Sequence, residues 1–362
     1  MIINTKCRSC GANVSYEANT EHMSCEYCHH TIDIENADSN DRANDELNLD
    51  EYINKLQDST EQVELHVIRC NGCGATTELG ANKLSGVCSF CDAPLVVEQA
   101  RSHSMIKPAG LLPFGISEET ATTNFKSWVS KLWFAPSELK IKATKLESFN
   151  GVYLPFWTYD CGITSHYTGR QGTYYYVTVN SKDSDGNNTT SQQRRTRWRS
   201  VTGSVSKDFD DILIPATNSV SQKKLNALQP WHLEELVDYK DMYISGYQCE
   251  CYDKDLKTGF QEAKVIIGDA VDLKIKRDIG GDEQQVSSVQ THYLNPKFKH
   301  ILLPVWVSAY RYKNKVYQVL VNARTGEVQA ERPWSWFKIA SLIGMVAVGI
   351  GAGMFWYSMH NG

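Results

Sequence analysis

The chain has 362 residues, of which 41% are hydrophobic and 22% are charged, and its formal net charge at pH 7 is −5. This length allows two or three globular units. The acidic balance argues against broad electrostatic capture of nucleic acid, although a local basic patch is compatible with it. The first ten residues lack a charged-then-apolar signal region, so the eleven cysteines are expected to be metal ligands or thiols rather than disulfides.

Eight of the cysteines form two sets of paired CxxC motifs with identical spacing. Each cysteine of the second set lies 63 positions after its counterpart, which indicates duplication of one small unit. Gly11-Ala12 also recurs as Gly74-Ala75 after the first pair of each set. The first set is Cys7, Cys10, Cys25 and Cys28, and the second is Cys70, Cys73, Cys88 and Cys91.

This pattern predicts two zinc ribbons, in residues 1–34 and 67–98. A unit of about 30 residues buries too little apolar surface to fold alone, and four thiolates around one Zn²⁺ supply the missing stability. Four cysteines leave no position open for water, so both Zn²⁺ ions are predicted to be structural. The tandem spacing argues against redox pairs and disulfides. His29 and His30 follow Cys28 and could replace a ligand, but a surface role is expected.

Residues 35–66 predict an acidic linker between the ribbons. Its first half is rich in Asn and Asp, which is typical of a flexible segment. Leu49, Tyr52, Ile53 and Leu56 lie at helical spacing and predict one short amphipathic helix. That helix is expected to dock on a ribbon, with a partner protein as the alternative.

Residues 99–335 alternate helical and strand patterns, which predicts an α+β body with mainly antiparallel pairing. One helix is predicted to begin at Ser117, with Ala121, Phe125, Trp128 and Leu132 as its apolar stripe, and a second to span 255–279. The tetrapeptides at 154–157 and 303–306 resemble each other and suggest two related halves. We predict strands at 151–160, 286–293, 301–312 and 316–322, and a long hairpin formed by 173–179 and 194–202.

The body carries no recognisable catalytic motif, and we predict that the protein is not an enzyme. The motifs GxSxG, GxxxxGK[ST], GxGxxG and HExxH are absent from the sequence. Cys161 is a lone cysteine in a strand-like segment and is expected to lie in the core. Cys249 and Cys251 would face the same side of a strand and could bind metal, but thiols without a metal are expected there.

A cluster of arginines is the unusual feature of the body. In a strand, Arg195, Arg197 and Arg199 would share one face, while Trp198 takes the other. Such a basic ribbon suits phosphates of nucleic acid or lipid, or an acidic protein surface. The alternative is cross-strand pairing with acidic residues, for which the candidates are Asp183, Asp185 and Asp208.

Residues 337–358 predict one transmembrane helix, because the run is apolar on all sides and long enough to cross a bilayer. Positive residues precede it and none follows, which predicts a single-pass inner-membrane protein with a cytoplasmic N-terminal body. Gly349 and Gly353 form GxxxG, which could pair two such helices in a homo-oligomer. The alternative is that glycine is simply common in helices of this kind.

Several runs beside the ribbons and the tail carry a family resemblance. They are 167–172 (YTGRQG), 174–176 (YYY), 195–198 (RTRW) and 208–211 (DFDD). With them the chain resembles the bacterial TFIIB-type zinc-ribbon membrane proteins, often labelled as similar to primosomal protein N-prime. The resemblance implies zinc at the eight cysteines and offers no catalytic residues. Some relatives are similar to the zinc-ribbon component of envelope-stress operons that encode SPFH (flotillin-like) and phage-shock-protein-A-like partners.

The sequence therefore favours a membrane-anchored cytoplasmic zinc-ribbon scaffold that recruits partner proteins. The closed zinc sites, the apolar tail and the lack of catalytic motifs point to this function. The alternative is a nucleic-acid-binding zinc-ribbon protein tethered to the membrane. The few basic residues in the ribbons and the negative net charge argue against nucleic acid.

Overall fold

The computed structural model describes most of the chain in segments. They are residues 6–34, 45–56, 63–70, 72–73, 75–78, 85–88, 90–91, 93–96, 101–133, 136, 148–182, 188–312, 315–331 and 335–361.

The strands and helices follow in chain order. The strands are β1 (Val14–Tyr16), β2 (His22–Cys25), β3 (Thr31–Asp33), β4 (Leu47–Asn48), β5 (Val63–Arg69), β6 (Thr76–Glu78), β7 (Ser85–Val87), β8 (Pro94–Val96), β9 (Arg101–Met105), β10 (Gly110–Leu111), β11 (Asn150–Lys182), β12 (Asn188–Pro215), β13 (Val237–Asp238), β14 (Gln248–Cys249), β15 (Glu283–Tyr312), β16 (Lys315–Asn322) and β17 (Val328–Ala330). The helices are α1 (Leu49–Leu56), α2 (Glu118–Ser130), α3 (Gln222–Asn226), α4 (Asp241–Ile244), α5 (Leu256–Ile279) and α6 (Trp336–Asn361), with a 3-10 turn at Leu233–Glu235.

Three very long strands form the centre of the fold. β12, β11 and β15 are neighbours in one sheet and pair antiparallel, and β10 joins β15 in parallel. The segments predicted at 286–293 and 301–312 are one strand, because the break between them is absorbed as a bulge near Asn295, whose φ is 47°. The two similar tetrapeptides lie side by side, with Leu154 opposite Leu303.

The two faces of this sheet hold different ribbons. Successive side chains of a strand point to opposite faces, so neighbouring residues join different apolar clusters. We call one face of the sheet the ribbon-1 face and the other the ribbon-2 face. On the ribbon-1 face, the sheet residues Tyr153, Leu302 and Val319 pack with Tyr16 and Met23 of the first ribbon. On the ribbon-2 face, the sheet residues Val152, Leu303 and Leu320 pack with Cys70, Ala75 and Phe90 of the second ribbon.

The two long helices of the body lie where the sequence predicts them. Ser117 caps α2 by accepting a hydrogen bond from the Thr120 N–H, and Ala121 and Phe125 are buried. Asp255 caps α5 in the same way through the Thr258 N–H, and Gly280 ends it with φ 65°. α5 packs on the long strands through a buried stripe that runs from Leu256 to Ile279.

The helix α1 docks on the central sheet and not on a ribbon. β4 pairs antiparallel with β15 and leads directly into α1. Tyr52 of α1 meets Phe298 of β15 edge-on, with ring centroids 5.1 Å apart, and Leu49 is buried in the same cluster. The segment between the two ribbons is therefore tied to the body at this point.

Two predictions about class and location are wrong. The chain is mostly β, with a large curled antiparallel sheet and few helices, because segments expected to be short strands merge into strands of 28 to 33 residues. The α+β class is therefore replaced by a mainly β class. The tail does form a helix, α6, but a bilayer crossing needs about 20 consecutive apolar residues. No helix in the described part of the chain is long and apolar enough for that, which overturns the transmembrane helix at 337–358 and the single-pass inner-membrane location.

Candidate metal centres and a basic arm

The first cysteine set converges at one point between two tight turns. Cys7 Sγ lies 3.5 Å from Cys28 Sγ, and Cys10 Sγ lies 3.5 Å from Cys25 Sγ. In the first turn the Cys7 N–H donates to the Ala12 carbonyl at 2.7 Å, and the Ser9 N–H points to the Cys7 sulfur at 3.4 Å. Gly11 makes the turn possible because its φ of 74° suits glycine.

The second set repeats this geometry 63 residues later. Cys70 Sγ lies 3.6 Å from Cys91 Sγ, and Cys73 Sγ lies 3.5 Å from Cys88 Sγ. The Cys70 N–H donates to the Ala75 carbonyl at 2.8 Å, the counterpart of the bond from Cys7 to Ala12. The duplication evident in the sequence is thus a duplication of backbone hydrogen bonds as well.

Both sets fit a tetrahedral Zn²⁺ site. With Zn–S distances of about 2.3 Å, the sulfurs of a tetrahedron lie about 3.8 Å apart, close to the observed spacing. Each set offers four ligand atoms that could hold one metal ion, and four thiolates are the donor set typical of structural zinc. His29 and His30 are exposed and belong to neither set.

In each set the cysteine thiols perturb one another, so that some pKa values are lowered and others are raised. Backbone N–H groups of Cys28 and Tyr27 lower the pKa of Cys25 to about 7, although burial opposes them. The Cys73 thiol, with help from the Phe90 N–H, lowers the pKa of Cys88 to about 5. The same pairing raises the pKa of Cys73, because its proton is held between two sulfurs. Burial and the neighbouring thiols also raise the pKa of Cys10 to about 12 and that of Cys91 to about 11, so an ion that binds thiolates would have to displace protons from each set.

Ribbon 1 is attached to the body by hydrogen bonds that involve its main-chain groups. The Tyr16 N–H donates to the Ser245 carbonyl at 2.9 Å, and the Ser245 hydroxyl donates to the Val14 carbonyl at 2.8 Å. The Tyr247 hydroxyl donates to the Tyr16 carbonyl at 3.2 Å. Gly246 lies so close to Ser15 that any side chain there would collide with it. The ribbon therefore has one fixed seat on the sheet.

Ribbon 2 is attached at β14 on the other face. The Cys251 N–H donates to the Thr76 carbonyl at 3.0 Å. The buried carboxyl of Glu250 lies beside this bond and accepts from the hydroxyls of Thr217 and Ser219, each at 2.8 Å. Cys251 thus lies at the seat of ribbon 2, and Cys249 packs against the apolar cluster of the ribbon-1 face. Both lie outside the two cysteine sets, while Cys161 is buried in the cluster that includes α5.

A two-stranded extension, which we call the basic arm, leaves the sheet beyond Gly172. β15 begins at Glu283, opposite Gly172, so residues 173–182 pair only with residues 188–197. Ten rungs at about 3.3 Å each give a length of about 33 Å. None of the arm side chains that the structure describes is buried. The arm sequence contains Lys182, Arg194, Arg195 and Arg197 and no acidic residue.

The arginines lie on the arm and at its base. Arg195 is opposite Tyr175, Arg197 is opposite Thr173, and Arg199 is opposite Gln171, so the three share one face as predicted. Arg197 stacks over the Tyr175 ring at 5.2 Å, and on the other face Arg194 stacks over Tyr174 at 4.2 Å.

The alternative of cross-strand acidic pairing receives no support from Asp208. Asp208 lies opposite Gly162, far along the strand from the arginines. Asp183 and Asp185 lie outside the described residues. Among the residues that are described, the salt bridges do not involve Arg195, Arg197 or Arg199.

A third group of potential ligands was not found from the sequence. Carboxylate oxygens of Glu46, Asp160 and Asp210 lie within 4.8 Å of one another. They come from the linker, from β11 and from β12, and are therefore far apart along the chain. The acidic run at 208–211 was the available signal, but it does not reveal which acids converge.

No family model matches the chain, and no solved structure matches it. One similar protein is "Uncharacterized protein YdjG" of Bacillus subtilis (strain 168), which is 26% identical over 350 residues. The match covers 96% of this chain and 95% of that protein, so it includes the ribbons and the body. The name of that protein assigns no activity, and the resemblance to TFIIB-type zinc-ribbon proteins stays a prediction.

Proposed function

We propose that the protein is a non-enzymatic scaffold that holds acidic partner proteins on its basic arm. Two closed four-cysteine sites brace the body from opposite faces, and neither leaves a coordination position for a substrate. The observation that carries the proposal is the basic arm itself. Its two strands form ten residue pairs with four basic residues and no acidic residue.

The arm is costly for an isolated protein to maintain. A two-stranded hairpin is only marginally stable in water, and this one buries none of its described side chains. Cross-strand contacts such as Arg194 over Tyr174 offset part of that cost. Arginine and tyrosine are enriched among the residues that dominate protein interfaces, and the arm exposes both.

The charge of the arm indicates the chemistry of the partner. The whole chain carries a net charge of −5, whereas the paired strands of the arm carry four basic residues and the segment that joins them carries two acidic ones, Asp183 and Asp185, so the arm has a net positive charge that attracts an acidic surface. The family resemblance makes SPFH and phage-shock-protein-A-like proteins the first partners to test.

Pairing of two copies through Gly349 and Gly353 also stays a prediction; both glycines lie in α6, and open space surrounds the position that a side chain would occupy at each.

The test places a photocross-linking amino acid at Tyr176, which is on the arm and 64% exposed. Tyr27, exposed on ribbon 1, is the matched control position. We expect a discrete protein adduct at Tyr176 that survives nuclease treatment. The adduct should not form when the sample is irradiated at high salt. Replacing Arg195, Arg197 and Arg199 by Ala should weaken binding of the purified partner by about tenfold or more. Equal adducts at both positions would contradict the proposal.

A second candidate function is binding of single-stranded nucleic acid. The stacked pairs of Arg with Tyr174 and Tyr175 favour it, since bases stack on aromatic side chains beside a basic track. The same experiment separates the two functions. A nuclease-sensitive adduct at Tyr176, with salt-dependent binding of oligonucleotides by the full chain, would establish nucleic acid as the ligand.

A further inference from the structure

Two bulges meet at Asp160 in the middle of the central sheet. Toward β12, the register shifts between Tyr159 and Cys161, so Asp210 and Asp211 both face the single residue Asp160. Toward β15, the register shifts again between Asp160 and Gly162. Asp211 has φ 49°, a conformation that non-glycine residues adopt rarely. Bulges re-aim side chains, and these two bring several carboxylates to one place.

The bulge leaves Asp160 half satisfied. The Asp211 N–H donates to Asp160 Oδ1 at 2.5 Å. Asp160 is only 7% exposed, and its Oδ2 is buried without a hydrogen-bond partner among the described residues. A buried carboxylate oxygen without a donor is rare in native proteins, and a bound water or ion is one explanation for it.

The surroundings carry more negative than positive charge. Carboxylate oxygens of Glu46 and Asp210 lie within 4.8 Å of an oxygen of Asp160. Two lysines partly balance them. Lys299 Nζ is 3.0 Å from Asp211 Oδ1 and 4.0 Å from Glu46 Oε1, and Lys297 Nζ is 2.9 Å from Glu46 Oε2. Four carboxyl groups and two ammonium groups have a formal net charge that is negative, and a divalent cation would balance it.

We propose that Glu46, Asp160 and Asp210 bind a hard divalent cation of the Ca²⁺ or Mg²⁺ type. Carboxylate oxygens are the ligands these ions prefer. Ligands on opposite sides of Ca²⁺, at about 2.3–2.6 Å each, lie about 4.6–5.2 Å apart, so the 4.8 Å limit is compatible with one ion. Asp210 is exposed, which gives the ion a path from solvent and space for bound water.

The ion would tie the linker to the body. Glu46 precedes β4, which pairs with β15 at Lys297 and Phe298. Asp160 and Asp210 belong to the sheet, so the ion joins a segment between the two ribbons to the strands that form the core. The cation therefore fixes the segment from β4 through α1, which lies between the two ribbons in chain order.

The experiment uses the purified full chain with its zinc retained. The protein is passed over a chelating resin, and its zinc content is confirmed by elemental analysis before titration. Calorimetric titrations with CaCl₂, MgCl₂ and MnCl₂ then report the new site, because soft thiolate sites do not take up these hard ions. We expect one ion per chain with a Kd on the order of 10 µM to 1 mM. A third zinc atom held by the untreated protein and displaced by these ions would also support the site.

Three variants locate the site. Glu46→Gln and Asp210→Asn should each weaken binding by about tenfold or more, because each removes a charged ligand. Asp269→Asn, at an exposed position on α5, should bind like the unaltered chain. Asp210 is exposed, so its replacement leaves the fold intact even where a change at Asp160 does not. The proposal is overturned by the absence of binding at about 10 mM cation, or by equal binding in all three variants.

Discussion

The buried carboxyl of Glu250 predicts how the stability of the protein depends on pH. Glu250 is 2% exposed and lies where ribbon 2 meets the sheet. Burial raises its pKa to about 8 from an ordinary value of 4.5, although the hydroxyls of Ser219 and Thr217 favour the ionised form. Between those two pH values the folded protein holds a proton that the unfolded chain has released. The free energy of unfolding therefore falls as the pH rises through this window.

The magnitude follows from the size of the shift. Each pH unit inside the window costs up to about 1.4 kcal/mol, so raising the pH from about 6.0 to about 7.5 should cost roughly 2 kcal/mol. In Glu250→Gln the side chain stays neutral, and this contribution disappears. We expect the variant to gain about 2 kcal/mol relative to the unaltered chain over the same interval. Below about pH 4.5 Glu250 is neutral in both the folded and the unfolded chain, so the replacement no longer gives a stability advantage.

The assay is urea unfolding of both proteins at several pH values between 6 and 8, where the zinc ligands keep their metal. Glu51→Gln, at an exposed position on α1, is the matched control and should follow the unaltered chain at every pH. The difference between the unaltered chain and Glu250→Gln should widen steadily with pH. Parallel curves for these two proteins would refute a protonated Glu250 in the folded state.

Two further predictions concern the zinc sites and α5. Cys10→Ser or Cys73→Ser should lower the zinc content from about two atoms per chain to about one, as measured by elemental analysis; loss of both ions from one replacement would contradict independent sites. Gly259→Ala would push a methyl group into the Tyr159 hydroxyl and should destabilise the protein by about 1–3 kcal/mol. Gly268→Ala meets nothing within 4 Å and should stabilise it by about 0.5–1 kcal/mol in the same unfolding assay, so equal effects would refute the packing argument.

The metal sites could be predicted from the sequence because their information is local. Each CxxC turn closes within six residues, through bonds such as Cys7 N–H to the Ala12 carbonyl, and the duplication repeats the same turn. The caps at Ser117 and Asp255 are local signals in the same sense, and both helices begin where they predict.

The long strands and the carboxylate group could not be predicted, because they depend on contacts between distant segments. Gly162, Gly169 and Asn295 look like breaks in a strand pattern, yet the neighbouring strands absorb them as bulges. Glu46 and Asp160 meet only because β4 pairs with β15. The prediction for the tail was wrong for a different reason: an apolar composition predicts a helix, and α6 is one, but composition alone does not establish a bilayer crossing.

The continuity of β11 has a mechanical consequence. Its 33 residues form one continuous strand, about 110 Å in contour length, from the seats of both ribbons to the end of the arm. Tension applied by a bound protein at the tip is carried along that backbone into the centre of the molecule, and it passes Asp160 on the way. Pulling on the tip therefore loads the bulge at Asp160, where the carboxylates converge.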